Sequence, residues 1–122
     1  MVKKESNTRA IGKAQEELAC RYLEEKGIRI QARNFRCRQG EIDLIGYDGE
    51  YLVFFEVKYR KDASKGSAAE AVGIRKQRKI CRVSDYYRMS HKCPSDTAVR
   101  FDVIAIDDDN IEWIQNAFDY CG

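Results

Sequence analysis

Hydrophobic and polar positions along the chain follow two periods, which together predict an α/β fold. Residues from about Thr8 to Lys26 carry apolar side chains at helical spacing, with Thr8 or Asn7 as the cap and Gly27 after the end. The polar residues 1–8 before this helix are expected to be frayed or disordered. Alternation with a period of two then predicts three strands, at 28–37, 41–47 and 50–58.

The second half of the chain predicts one more helix and two more strands. A capping-box pattern at 67–70 predicts the start of a helix that continues to about Met89. Whether this helix is interrupted at Gly73 is left open. Strands are predicted at 100–106 and 111–114, joined by an acidic turn. Because the central strands are apolar on both faces, we expect a mixed central sheet of about five strands. The N-terminal helix should cover one face and the 68–89 helix the other.

The second and third strands form a predicted hairpin around Asp48 and Gly49, because Asp-Gly between alternating apolar runs favours a two-residue turn. In this register Glu41 lies opposite Glu56. Asp43 and Glu56 are then diagonal neighbours, roughly 7 Å apart at the backbone. The charged side chains project to one side and include Glu41, Asp43, Glu56 and Lys58. The opposite side is predicted to carry Ile42, Leu44, Val53, Phe55 and Val57.

Clustered carboxylates with a lysine are typical of metal-assisted phosphodiester chemistry. Neighbouring carboxylates repel each other and are stable as anions beside a cation such as Mg²⁺, which prefers oxygen ligands. A lysine next to that ion can hold a water or a phosphate oxygen. The alternative is a set of cross-strand charges on a solvated hairpin face. That alternative explains Lys58, but it does not explain three acids beside strongly apolar segments.

Composition fits one globular domain spanning residues 1–122, with 43% hydrophobic and 34% charged residues. There is no apolar run of transmembrane length and no secretory leader, so no membrane partner is expected. Five cysteines without a Cys-x-x-Cys pair indicate a reducing cytoplasm rather than a zinc site or a disulfide framework. No small-molecule cofactor is predicted.

The net charge of +2 conceals a basic segment. Nine basic and three acidic residues lie between Glu56 and Arg82, and 9 − 3 gives +6. Positive charge around a carboxylate cluster favours a polyanionic substrate, and ordinary solvated helix faces are the alternative. The residues expected to contact phosphates are Arg60, Lys61, Lys65, Lys76 and Lys79. Without a base-reading motif, binding to DNA should be independent of sequence.

An ordered set of motifs extends this interpretation to a known superfamily. The motifs are Gly12-Lys13-x-x-Glu16, Asn34-Phe35-Arg36, Gly40-Glu41-Ile42-Asp43-Leu44-Ile45, Phe54-Phe55-Glu56-Val57-Lys58, Lys76-Gln77 and Arg100-Phe101-Asp102-Val103. They resemble the PD-(D/E)XK nuclease superfamily. The resemblance is closer to the YraN-like family of uncharacterised bacterial proteins, which are similar to archaeal Holliday junction resolvases. The proline of the superfamily motif is absent, because Ile42 precedes Asp43.

The resemblance implies a restriction-endonuclease-like fold and a role for each matching residue. The metal, Mg²⁺ or Mn²⁺, would be bound by Asp43, Glu56 and the Val57 carbonyl. Lys58 would orient or activate water, and Glu16 of the first helix would complete the site. Gln77 is a candidate for a supporting role in the site, and an ordinary surface position is an equally good interpretation of this residue. Three roles are left open for Glu41: a metal ligand, a partner of Lys58, or a charge that fixes the register of the strands.

The resulting hypothesis is a metal-dependent endonuclease that cleaves DNA, including branched or single-stranded structures. Two alternatives remain from the sequence. One is a DNA-binding accessory protein with an idle or latent nuclease fold, and the other is an interaction module in DNA processing. Cleavage of two strands of a junction would also need a homodimer, although no unambiguous dimer face is visible in the sequence.

Overall fold

In a computed structural model the protein is described over residues 2–59, 72–107 and 110–121, with side chains from Gly12 onward. Along these ranges, three strands follow the first helix and two strands follow the second. Their bounds are α1 Val2–Glu25, β1 Arg29–Cys37, β2 Gly40–Asp48, β3 Tyr51–Tyr59, α2 Ile74–Ser90, β4 Val99–Ile106 and β5 Ile111–Phe118. Within these ranges neither helix combines the length and apolar character that a bilayer crossing requires.

The five strands form one mixed sheet in the order β1-β2-β3-β4-β5. Strand β3 pairs with β4 in parallel, and every other neighbouring pair is antiparallel. Separate hydrophobic clusters lie on the two faces of the sheet. One contains Leu23 of α1 with Phe55, and the other contains Val83 of α2 with Phe54. The prediction of a mixed, restriction-endonuclease-like sheet flanked by two helices is confirmed.

The helix ends differ from the sequence prediction in one place and agree in another. Helix α1 begins at Val2, so Asn7 and Thr8 lie inside it rather than capping it. No proline or glycine interrupts the segment that was expected to be frayed, and the helix continues through it. Its end is as predicted, because Gly27 follows in a left-handed conformation with φ of +93°.

Helix α2 begins directly after Gly73, the position where an interruption of the predicted helix had been left open. Its predicted start near residue 68 and the capping box at 67–70 lie outside the described residues. At the other end of the chain, β5 continues to Phe118, beyond the predicted end at Ile114. A register shift between Phe101 and Val103 keeps this longer strand paired with β4.

The turn between β2 and β3 is centred one residue later than predicted. Asp48 pairs with Tyr51, which leaves Gly49 and Glu50 as the two central residues. Gly49 has a φ of +60°, a conformation that glycine adopts without steric cost. The carboxylate of Asp48 accepts a hydrogen bond from Arg100 at 2.9 Å, which helps to hold it in the strand. The change moves the pairing by two residues, an even number, so by itself it does not turn side chains to the other face.

One apolar side chain lies on the opposite face from its prediction. Ile42 packs in the α2-side cluster with Ile45, whereas Leu44 packs in the α1-side cluster. Regular alternation is therefore broken between Ile42 and Ile45, at Asp43. The register of β1 places Asn34 opposite Asp43, and Asn34 has a φ of +53°. This local distortion of both strands accounts for the reversed face of Ile42.

A buried ionic network joins β4 to its neighbours. Asp102 is fully buried and accepts hydrogen bonds from Arg100, from Trp113 Nε1 at 2.8 Å and from the Asn116 N–H at 2.9 Å. Arg100 also reaches Asp48 at the hairpin end. Because the Asp102 carboxylate is paired and hydrogen-bonded, the network ties β2, β4 and β5 together without an unpaired buried charge.

Candidate active site

The candidate site forms where β2 and β3 separate. Their last paired residues are Leu44 and Phe55, so the next residues along, Asp43 and Glu56, lie opposite each other. The predicted diagonal relation between these two acids is therefore wrong, because the turn is centred later. Beyond the last pair, Asp43 Oδ2 accepts a hydrogen bond from the Val57 N–H at 2.8 Å. The Asp43 carboxylate thus takes the place of a main-chain acceptor between the two strands.

The surroundings of Asp43 favour the protonated acid. Burial is the largest cause, and the negative charge of Glu56 is the second. The Val57 N–H opposes both by stabilising the carboxylate, while Glu41 adds a smaller repulsion. Together they raise the pKa of Asp43 from 3.8 to about 7. Keeping an acid in such a position costs stability unless a cation offsets the charge.

Two further acids converge on Asp43. Glu16 of α1 and Glu41 of β2 each place a carboxylate oxygen in a group with Asp43 whose members lie within 4.8 Å of one another. The structure thus brings the first-helix glutamate to the strand acids, as the resemblance implied. Glu41 also forms an ion pair with Arg36 at 2.6 Å, whereas a pairing with Lys58 is not observed. The oxygen-only composition of this group suits Mg²⁺ or Mn²⁺.

The side-chain cation next to Glu56 comes from α2, and the sequence predicted no such partner. Lys76, in the first turns of α2, places its Nζ 3.3 Å from Glu56 Oε2. The sequence had assigned Lys76 to phosphate binding, and the spacing of residues gave no signal of this ion pair. Lys58 is half-buried on β3, and within the described ranges it makes no hydrogen bond or ion pair.

The other residues predicted for the site either surround the acids or lie outside the described residues. The Gln77 side chain donates a hydrogen bond to the Val72 carbonyl at 2.8 Å, which fixes the start of α2. Lys79 is exposed on α2. Val57 contacts Asp43 through its N–H, so its main chain borders the site. The predicted phosphate contacts Arg60, Lys61 and Lys65 lie outside the described residues.

An open groove of about 490 Å³ reaches the acids from the α1 side. It is lined by Lys13 and Glu16 of α1 and by Arg33 and Asn34 of β1. Glu16 belongs to both the groove and the acidic group, so the groove leads to the candidate metal ligands. The sequence prediction did not include this groove, because the contact between α1 and β1 is tertiary.

Comparison with known proteins assigns the family. The model of the uncharacterised protein family UPF0102 matches residues 15–106. The chain belongs to UPF0102. A UPF0102 protein of Lachnoclostridium phytofermentans is 45% identical over 116 residues, covering 95% of this chain and 98% of the relative. One from Aeromonas hydrophila is 49% identical over 104 residues, covering 84% and 80%.

A third UPF0102 relative, from Legionella pneumophila, is 40% identical over 114 residues and covers 92% of this chain and 97% of the relative. The part matched by the UPF0102 model begins at Gln15 and ends at Ile106. It therefore contains each candidate acid and both Lys58 and Lys76.

Proposed function

We propose that this UPF0102 protein is a metal-dependent endonuclease that hydrolyses phosphodiester bonds in DNA. We place it in the PD-(D/E)XK superfamily, near the Holliday junction resolvases. The observation that carries the proposal is the position of Asp43. Its carboxylate is mostly buried between two diverging strands, beside Glu56, and has Glu16 and Glu41 within 4.8 Å. Such a concentration of acids is unfavourable in a protein that does not bind a cation there.

The donor set fits a hard divalent cation. Asp43, Glu56 and the Val57 carbonyl would hold Mg²⁺ or Mn²⁺, with Glu16 and Glu41 binding directly or through water. When bound, the metal would supply Lewis-acid activation of the phosphate and lower the pKa of a coordinated water. The raised pKa of Asp43 supports this assignment, because a divalent charge would offset the repulsion that raises it.

Lys58 supplies a second positive charge beside the acids. It is on the same strand as Glu56, two residues further, and it has no ion pair within the described ranges. In the proposed reaction its Nζ donates a hydrogen bond to the attacking water or to a non-bridging phosphate oxygen. An ammonium among carboxylates does not help to bind a cation, so its role is with the substrate.

DNA binding rests on exposed positive charge beside the site. Arg75, Arg78, Lys79 and Arg82 are exposed on α2, whose first turns adjoin Glu56 through Lys76. Contacts of this kind are made to phosphates and therefore give affinity without reading sequence. Recognition of branched or single-stranded DNA would follow from the shape of the backbone.

The proposal is tested by incubating labelled single-stranded, duplex and four-way-junction DNA with Mn²⁺ or Mg²⁺. The parent should cleave at least one substrate, and Asp43→Asn should not. Glu112→Gln is a matched control, since it removes an exposed carboxylate on β5. The protein-to-DNA ratio in the complex, measured in parallel, shows whether two copies act on one junction.

A specific observation supports the accessory-protein alternative. The ion pair between Lys76 and Glu56 already neutralises one candidate ligand without a metal. If the parent binds DNA but cleaves nothing across these metals and structures, the latent or idle form replaces the enzyme hypothesis. If the parent binds neither Mn²⁺ nor DNA, an interaction module remains.

A further inference from the structure

The ion pair between Lys76 and Glu56 joins two unequal partners. The Glu56 side chain is 12% exposed and fixed on β3, whereas the Lys76 side chain is 50% exposed and extends from α2. The carboxylate is therefore held by the sheet, and the ammonium is at the end of a flexible, solvated stem. If the pair separates, Lys76 is the side chain that moves.

The ion pair lies beside the candidate metal ligands, which distinguishes it from an ordinary surface salt bridge. Glu56 is a neighbour of Asp43, and the two carboxylates repel each other. The structure contains a nearer lysine in sequence, Lys58, which makes no ion pair within the described residues. Among the described residues, the positive charge paired with Glu56 thus comes from a separate element, α2.

A divalent cation at Glu56 and an ammonium on the same carboxylate would repel each other. At about 4 Å this repulsion exceeds that of two monovalent charges, because it scales with the product of the charges. We infer that the Lys76 ammonium occupies the cation position at Glu56 in the metal-free protein and is displaced when a divalent ion binds. The released ammonium is then next to the acids, where a substrate phosphate would be its new partner. This inference rests on the proposed function.

The test is the affinity of Mn²⁺ alone, measured by calorimetry on the intact protein. Lys76→Met should raise the association constant by roughly three- to tenfold, since it removes a competitor from a mostly buried carboxylate. Lys76→Arg keeps the positive charge and should behave like the parent. Lys58→Met and Lys79→Met each remove one positive charge without removing an observed partner of Glu56, so their increases should be smaller.

A second measurement follows the metal-free protein. Lys76→Met should unfold at a lower temperature than the parent in chelator, and Mn²⁺ should raise its unfolding temperature more than it raises that of the parent. Because Lys76 is half-exposed, the variant is expected to fold, and both readouts are independent of cleavage.

The outcomes separate this inference from the proposed function. Stronger Mn²⁺ binding in Lys76→Met than in Lys58→Met and Lys79→Met supports the displacement. Equal changes in all three would show a general field effect, and weaker binding in Lys76→Met would show that the lysine helps to build the site. Either result overturns the inference and leaves the metal site intact. Absence of Mn²⁺ binding in the parent would overturn the metal site itself, and the inference with it.

Discussion

Replacement of Asp43 by asparagine should stabilise the metal-free protein while it abolishes metal binding. The neutral amide has nearly the same shape as the carboxyl group, and its oxygen can still accept the hydrogen bond from the Val57 N–H. Its nitrogen can donate to the neighbouring Glu56. The substitution therefore removes the repulsion and the burial cost of the charge without leaving a cavity.

The expected gain in stability of Asp43→Asn follows from the pKa of Asp43. A rise from 3.8 to about 7 corresponds to about 4 kcal/mol of unfavourable free energy for the ionised form, at about 1.36 kcal/mol for each pH unit. This is the ceiling for the gain, because asparagine must be desolvated too. We expect about 2 kcal/mol of added stability at pH 8, which is roughly 6–10 °C in Tm for a domain of this size.

The raised pKa of Asp43 also determines how the stability advantage of Asp43→Asn changes with pH. The folded protein binds a proton at Asp43 more tightly than the unfolded chain, so the contribution of this group is most favourable below about pH 4. It is lost as the pH rises through about 7, and asparagine does not titrate. The advantage of Asp43→Asn should therefore be small near pH 4, grow up to about pH 7 and stay constant above it.

Thermal and urea unfolding in chelator, from pH 4 to pH 8, measure this difference. Glu112→Gln serves as the control for losing an exposed negative charge. Excess Mn²⁺ should then stabilise the parent and leave Asp43→Asn unchanged. A variant that is no more stable than the parent at pH 8, or an advantage that does not vary with pH, would refute the account of Asp43.

Three other predictions concern chemistry, binding and packing. Lys58→Met should leave Mn²⁺ affinity intact or slightly raised and reduce DNA cleavage by roughly a hundredfold or more; equal cleavage would contradict the proposed role of this lysine. DNA affinity should fall steeply with salt in fluorescence anisotropy, and a flat dependence or strong discrimination between scrambled duplexes would exclude phosphate-based binding. Asp102→Ala should cost about 3–5 kcal/mol in urea unfolding, because it leaves Arg100 and the Trp113 N–H without their buried acceptor. A loss below about 1 kcal/mol would show that water replaces the Asp102 carboxylate.

The order and type of the elements could be predicted because they depend on local patterns. Alternation in β3, and in β2 from Leu44 onward, survives tertiary packing, since both faces of these strands are buried. The same alternation placed Asp43 and Glu56 together even though the turn centre was wrong. A two-residue change of register does not by itself reverse the facing of side chains, so the error changed the two acids from diagonal neighbours to directly opposite residues.

Other features could not be predicted because they depend on contacts between distant elements or on backbone distortion. The sequence gives no reason to choose Lys76 over Lys58 as the partner of Glu56, since the choice depends on where α2 docks. The reversed face of Ile42 follows from the distortion at Asn34 and Asp43, which a strict period of two does not contain. Asp102 was named only as part of a motif, and its burial depends on the partners that surround it.

The parallel pairing of β3 with β4 has a consequence for how the protein folds. Leu52 pairs with Val99, and 99 − 52 gives a separation of 47 positions along the chain. Antiparallel β1–β2–β3 and β4–β5 contacts are closer in sequence and can form first, whereas the parallel ladder must wait for the long connection that contains α2. Until that step, Asp43 and Glu56 lie on a meander without the docked α2 and its Lys76, so their repulsion is still relieved by water. The acids should therefore become buried late, and the rate-limiting closure of the sheet should be slower at pH 8 than at pH 5.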